Sequence, residues 1–202
     1  MKFIVGTKQG MTQVFDQDGT VHPVTVILAS PVTVTQVKSI DKDGYTAVQI
    51  GHGIQKESRV NKPQKLKGNF KGFREFRFDD ISEQTVGSHI DSSIFAEGDT
   101  VQVSAISKGK GFQGVVKRYG FKGGPRSHGQ KQSERERGSS GGGPGRAGGR
   151  VVKGMRMAGR MGGDRVTVKN LKVVKVDSEK GELYISGAIP GRRGTVVEIV
   201  SK

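Results

Sequence analysis

Apolar and polar residues alternate in short runs at both ends of the chain, and period-two alternation marks a strand with one buried face. Lys2–Val5, Thr12–Phe15 and Val24–Leu28 alternate or run β-branched, with Asp16-Gln17-Asp18-Gly19 as a turn between the last two. Val32–Ser39 and Tyr45–Ile50 form another pair around Asp41-Lys42-Asp43-Gly44, and Thr100–Ile106 alternates cleanly. Arg165–Val168, Leu171–Asp177 and Glu182–Ser186 follow, the last two joined by Ser178-Glu179-Lys180-Gly181, and Thr195–Val200 closes the series. Many short strands at this spacing predict a mainly β fold centred on a small closed barrel, which leaves no exposed edges. Pro23 stands just before a strand, where a missing N–H is tolerated.

Residues 52–95 interrupt this pattern and read as a small inserted α/β lobe. Asn61 can cap a short helix starting Lys62-Pro63-Gln64, and Gly68 or Gly72 can end it. Arg74–Phe78 then reads as a strand with Phe76 and Phe78 inward. From Gln55 to Arg77 there are eight basic residues and two acids. That excess fits a nucleic-acid-binding patch and an ordinary solvated helix face equally well.

Composition narrows the chemistry. The 202 residues carry 34 Lys and Arg against 19 Asp and Glu, a formal net charge of +15. There is no Cys, so disulfides, zinc–thiolate sites, iron–sulfur clusters and thiol nucleophiles are excluded. No apolar run approaches the roughly 20 residues of a membrane span. Met1-Lys2-Phe3-Ile4-Val5 runs straight into Gly6 and polar residues, with no signal-peptide core. The expectation is a soluble cytoplasmic protein whose partner is a polyanion, because Lys and Arg that neutralise phosphates release condensed counterions. A membrane surface fits less well, for want of an amphipathic basic helix.

The charge is concentrated. The 57 residues from Gly109 to Arg165 hold 14 Lys and Arg, three acids and 18 of the 32 glycines. Composition alone suits a disordered linker. Against that, apolar residues recur through the segment (Phe112, Val115, Tyr119, Phe121, Val151, Met155, Met161), its charges are spaced, and strands flank it on both sides. Ordering 57 residues costs very roughly 1–2 kcal/mol each in backbone entropy, which these few apolar residues do not offset. The segment therefore reads as a finger, mobile alone and ordered against folded RNA. Glycine lets its main chain approach phosphate, and Arg forks onto phosphate oxygens and stacks on unpaired bases.

Catalytic constellations are missing. Gly109-Lys110-Gly111-Phe112-Gln113-Gly114 matches GxGxxG, but Val115 to Gly120 is a poor helix start, and a dinucleotide fold needs that helix. Gly143 to Gly148 matches again, with an unsuitable Pro144. No GxxxxGK[ST] exists, and His22, His52, His89 and His128 lie too far apart in sequence for a metal motif. His128 beside Ser127 reads as a polar RNA contact, not a base beside a nucleophile. The adjacent acids Asp79-Asp80 read as a strand-end turn. The expectation is no catalytic residue, metal or other cofactor, and no small-molecule substrate.

Together, several stretches resemble the bacterial-type large-ribosomal-subunit protein three family. They are Val5-Gly6-Thr7-Lys8-Gln9-Gly10-Met11-Thr12 with Phe15, Pro23 to Ile27, Val34 to Lys38, Asn61-Lys62-Pro63, Ser107 to Gly114 through Arg118, and Ser127-His128-Gly129. Lys153 to Gly162, Arg165 to Val168 and Gly187 to Gly191 complete a match that covers essentially the whole chain in order. The resemblance implies a translation-factor-like β-barrel over residues 1–51, 96–108 and 165–202, the small lobe over 52–95, and a basic extension over 109–164. It implies binding to 23S-type rRNA near its 3′ end, a part in nucleating subunit assembly, and an extension reaching toward the peptidyl-transferase centre. Its implied protein neighbours are the large-subunit proteins numbered fourteen and nineteen, with no membrane partner. The candidate rRNA contacts are Lys56, Arg59, Lys62, Lys65, Lys67 and Lys71 in the lobe. In and beside the extension they are Lys108, Lys110, Lys117, Arg118, Lys122, Arg126, His128, Lys131, Arg135, Arg137, Arg146, Arg150, Lys153, Arg156, Arg160 and Arg165.

The chain departs from the family at Gln102, where Asp or Asn is common, and at the tip, which is more glycine-rich from Gly138 to Val151. The methylated Gln of some members has no counterpart, since no Gln follows Gln132. Two other readings stand beside this one. A free RNA chaperone would carry a repetitive, dispensable arm, whereas this insert is non-repetitive and sits between strands. A nucleotide-dependent enzyme needs a phosphate loop that the chain lacks.

Overall fold

The computed structural model describes residues 1–78, 84–141 and 151–201. Asp79-Asp80, the second GxGxxG match, Arg146 and Arg150 lie outside the described residues. The strands are β1 (Phe3–Phe15), β2 (Val21–Leu28), β3 (Val32–Lys38), β4 (Ala47–Ile54), β5 (Phe70–Arg77) and β6 (His89–Ile90). They continue with β7 (Thr100–Ile106), β8 (Gly111–Gln113), β9 (Gly159–Met161), β10 (Arg165–Asp177), β11 (Glu182–Ser186) and β12 (Val196–Ser201). The α-helices α1 (Ile40–Asp43), α2 (Lys62–Lys65) and α3 (Val115–Tyr119) are each one turn or little more, so the fold is mainly β. No helix among the described residues is long and apolar enough to cross a membrane.

Six strands close into a ring in the order β1-β12-β7-β10-β11-β2, with every neighbouring pair antiparallel. Alternation decides which side chains fill it. In β12 the residues Val197, Ile199 and Ser201 are buried, and in β11 Leu183 and Ile185 are buried while their neighbours are half-exposed. A second sheet, β5-β4-β3-β6, shares the ring's hydrophobic core through Val34, Val48, Ile50 and Phe76. Phe3 joins the two, its ring centroid 4.8 Å from Phe76 and 4.9 Å from Phe78. The inward placement expected for Phe76 and Phe78 holds: Phe76 is buried, and Phe78, just past β5, packs against the same cluster.

Several local expectations change. The stretches expected at Lys2–Val5 and Thr12–Phe15 fall, from Phe3 on, in one 13-residue strand, and Arg165–Val168 and Leu171–Asp177 in another of the same length. Bulges let each continue: β10 shifts register between Val168 and Leu171, where Asn170 takes a positive φ of 58°. β3 and β4, read from sequence alongside the ring strands, hydrogen-bond with β5 and β6 instead. Alternation shows that a strand has two faces and says nothing about which neighbour it will take. The helix expected after Asn61 is a single turn, and the Asn61 side chain makes no cap hydrogen bond; its backbone carbonyl accepts from Gln64 and Lys65.

The chain divides into two compact units, Met1–Ile106 with Arg165–Lys202, and Ser107–Asp164. Ring and second sheet both belong to the first. The second is closed at its neck, where Ser107 N–H donates to Asp164 O at 2.9 Å and Asp164 N–H to Ser107 Oγ at 3.3 Å.

Candidate nucleic-acid interface

The unit Ser107–Asp164 has a folded base. β8 and β9 pair antiparallel, with Phe112 opposite Arg160, and Lys110 N–H donates to Met161 O at 2.9 Å. The GxGxxG match therefore lies partly within a hairpin strand, with its last glycine as the N-cap of α3. A helix does follow the motif, contrary to the sequence expectation, but it is five residues long and ends at Gly120 in the left-handed conformation. This base also qualifies the picture of a segment that orders only against RNA.

Around α3 the cations gather on an aromatic ring. The Arg118 guanidinium donates from Nη1 to Met157 O at 2.9 Å and lies 5.0 Å from the Tyr119 ring centroid. Arg156 lies 5.8 Å from the same centroid, and Phe121 is 6.3 Å from Tyr119. Phe112 is 76% exposed on β8 beside Arg160. Exposed rings flanked by guanidinium groups suit unstacked bases, and the cations suit the phosphates between them. In the sequence Phe112, Tyr119 and Phe121 counted only against a plain linker, and their suitability for stacking was missed. The usable signal was their density inside a basic run too polar to bury them.

Residues 121–141 form no helix or strand, yet they fold back on themselves. Gly124 N–H donates to Glu134 O at 2.9 Å, and a Cβ at Gly124 would come within 2.8 Å of Ser133 O. Glycine is what lets these two stretches of main chain meet. Lys122, Arg126, His128, Lys131 and Arg135 are exposed along this loop, Arg137 is half-buried, and His128 adopts a positive φ of 62°. Lys108, Lys117 and Lys153 are exposed as well.

The two units use their acids differently. In Ser107–Asp164 the one ion pair among the described residues joins Arg126 to Glu134 at 3.5 Å, both largely exposed. In the other unit the acids pin cations. Glu198, mostly buried, takes Arg74 Nε on one oxygen at 2.9 Å and Arg165 on the other. Lys38 donates to Glu75 at 2.8 Å and to the Tyr45 hydroxyl, which in turn donates to Glu75 at 2.7 Å. These contacts hold the Lys38 ammonium above the ordinary lysine value, through the hydrogen bond to Glu75 first and then Tyr45. Partial burial opposes ionisation of Glu75, but the hydrogen bonds from Lys38 and Tyr45, with the charges of Lys38 and Arg77, keep its carboxyl below the usual range.

The patch expected from Lys56 to Arg77 is accordingly divided. Lys56, Arg59, Lys62 and Lys71 are exposed. Lys65 pairs with Glu57 at 3.1 Å. Lys67 turns onto the sheet, donating to the side-chain carbonyls of Gln36 and Gln49 at 2.8 Å each. Lys67 and Arg165 thus have partners of their own within the protein, which their charge in the sequence did not reveal.

The family model described as ribosomal protein L3 matches residues 54–188. A large ribosomal subunit protein uL3 from Finegoldia magna is 47% identical over 98% of this chain and 97% of its own length. Those from Acidothermus cellulolyticus and Herpetosiphon aurantiacus are 48% and 47% identical, over 98% and 97% of this chain and 91% and 94% of their own lengths. With a family match over more than half its residues and near-complete relatives at this identity, the chain belongs to the ribosomal protein L3 family.

Proposed function

We propose that the chain is a structural, rRNA-binding component of the large ribosomal subunit, not an enzyme. The observation that carries this reading is the unit Ser107–Asp164, whose exposed cations, save Arg126, lack an acid partner among the described residues and stand beside exposed aromatic rings. The relatives' names, large ribosomal subunit protein, supply the assembly in which such a surface would meet its polyanion.

The finer reading follows the family. The six-strand ring serves as a translation-factor-like barrel. The lobe about residues 52–95 is built on β4 and β5, and the basic extension covers 109–164. The protein binds 23S-type rRNA near its 3′ end, helps nucleate assembly, and lies beside proteins fourteen and nineteen. Ring and lobe anchor it, because phosphate contacts accumulate over many residues, while the extension reaches toward the peptidyl-transferase centre and braces RNA there without supplying an acid, base or nucleophile. Lys56, Arg59, Lys62 and Lys71, with the exposed cations of the extension, are the contacts we assign.

Co-sedimentation tests this reading. The protein should travel with large subunits through a high-magnesium gradient, and sedimentation with free protein would refute it. Replacing Ser140–Arg150 with a short Gly-Ser linker should leave incorporation intact while altering A-site tRNA binding or sensitivity to drugs of the peptidyl-transferase centre. Subunits that then cannot assemble would make the tip an anchor.

A further inference from the structure

β1 runs on past the ring. It pairs with β12 only from Phe3 to Thr7, whereas Met11 to Phe15 pair with β2 alone. On the β12 side the last backbone bonds are those of Lys8, whose N–H donates to Thr195 O and whose carbonyl accepts from Gly194. Beyond Lys8, among the described residues, no strand lies along that edge.

The direction of the backbone groups follows from the turn. Asp16 N–H donates to Thr20 O at 2.9 Å. Bonded and non-bonded pairs alternate in an antiparallel ladder, so Val14–His22 and Thr12–Val24 are the next bonded pairs. Gln13 then faces Pro23, which has no N–H to give. The N–H and C=O groups of Met11, Gln13 and Phe15 therefore point away from β2, toward the open edge. Met11 is 54% exposed and Phe15 63%, and Val21, paired with Phe15, is 46% exposed.

Charge indicates what covers them. From Gln9 to Val37 there is no Lys or Arg, in a chain that holds 34 in 202 residues. The acids of that stretch, Asp16 and Asp18, stand at the turn. A surface made for phosphate carries cations. The edge also lacks the lysines that usually guard an unpaired strand. Lys172 and Lys175 of β10 share a cleft of about 440 Å³ with Val14, Phe15, Asp16 and His22, but Met11–Phe15 and β2 themselves carry no Lys or Arg.

We propose that the open edge of β1, Met11–Phe15, is a docking strand for another protein. An extended segment of that partner adds to β1 through main-chain hydrogen bonds, sets apolar side chains against Met11, Phe15 and Val21, and brings Lys or Arg to Asp16 and Asp18. The inference rests on the proposed place in the large subunit, where the chain has protein neighbours.

Photo-crosslinking tests it. A benzophenone amino acid is placed singly at Met11, Phe15, Thr12 or Val14 of the full chain, and large subunits are isolated from cells producing each variant. Positions 11 and 15, and 12 and 14 on the other face, should give adducts to one ribosomal protein, within an extended segment that carries Lys or Arg, because an added strand lies beside both faces of the edge. Gln13→Pro removes an N–H that faces outward and takes nothing from β2. It should lower the adduct from position 15 about tenfold while leaving affinity for the isolated rRNA fragment unchanged. Adducts to rRNA, no protein adduct at 11 and 15, or indifference to Gln13→Pro would each overturn the docking strand and leave the rRNA-binding reading standing. A wild-type chain that never enters large subunits would overturn that reading and, with it, this inference.

Discussion

Gly162→Ala tests whether the base of the extension is a built part of the rRNA surface. Gly162 follows β9 with a φ of +74°, a conformation that costs an L-residue about 1–2 kcal/mol. A Cβ there would drive into the Lys108 carbonyl oxygen, well inside contact distance, and sit 3.1 Å from Gly109 Cα. Relief requires moving Lys108, two residues before the Lys110 N–H that bonds Met161 O. Strain and lost hydrogen bonding together come to about 3 kcal/mol. A three-residue hairpin opens before it stores that much. Exchange of the Lys110 amide should accelerate about 100-fold, since each 1.4 kcal/mol is a factor of ten. Amides of Thr100–Ile106 and Leu171–Val176 should stay as protected as in the parent. Affinity for the large-subunit rRNA fragment should fall at least tenfold, because Lys110, Arg160 and Phe112 must be ordered anew on binding. Gly109→Ala is the control, since a Cβ there meets no atom within 4 Å. Unchanged Lys110 protection in Gly162→Ala, or an equal loss in Gly109→Ala, would refute the reasoning.

Changing Lys110, Lys153, Arg156 and Arg160 together to Gln should flatten the log–log salt dependence of rRNA binding by up to about 3–4, at roughly 0.9 per duplex phosphate released; an unchanged slope would mean that they meet no phosphate. Glu198→Gln removes the carboxylate shared by Arg74 and Arg165 and should cost about 1 kcal/mol, the two arginines being partly exposed, which lowers Tm by about 2–4 °C in thermal unfolding. His52 is held below the ordinary histidine value by partial burial first and then by the charges of Arg74 and Lys71, and its Nε2 is buried with no hydrogen-bond partner among the described residues. The unfolded chain then binds more protons, so this contribution to stability is complete above about pH 6.5 and is lost as pH falls toward the folded value. An NMR titration of the His52 ring at or above 6.5 would contradict it.

Much of this was legible in the residues themselves. Period-two alternation marked nearly every ring strand, because a strand with one wet face must alternate wherever its neighbours lie. The gathering of cations and glycines between Gly109 and Arg165 marked off the basic unit Ser107–Asp164, because charge is a property of composition before it is one of shape. The motifs from Val5 to Gly191 pointed to the family.

Other features exist only once distant segments meet. β3 and β4 carry the same alternation as the ring strands and still join β5, since pairing depends on which edge is available. Lys67 and Arg165 look like their neighbouring cations in sequence, yet one is taken by Gln36 and Gln49, 31 and 18 positions away, and the other by Glu198, 33 positions away. Tyr119 carries two guanidinium groups because Arg118 and Arg156, 38 positions apart in the chain, converge on one ring. Local sequence determines what each segment can do in water. Closing loops between segments decides which partner it does it with, and that choice is made by the sum of all the pairings at once.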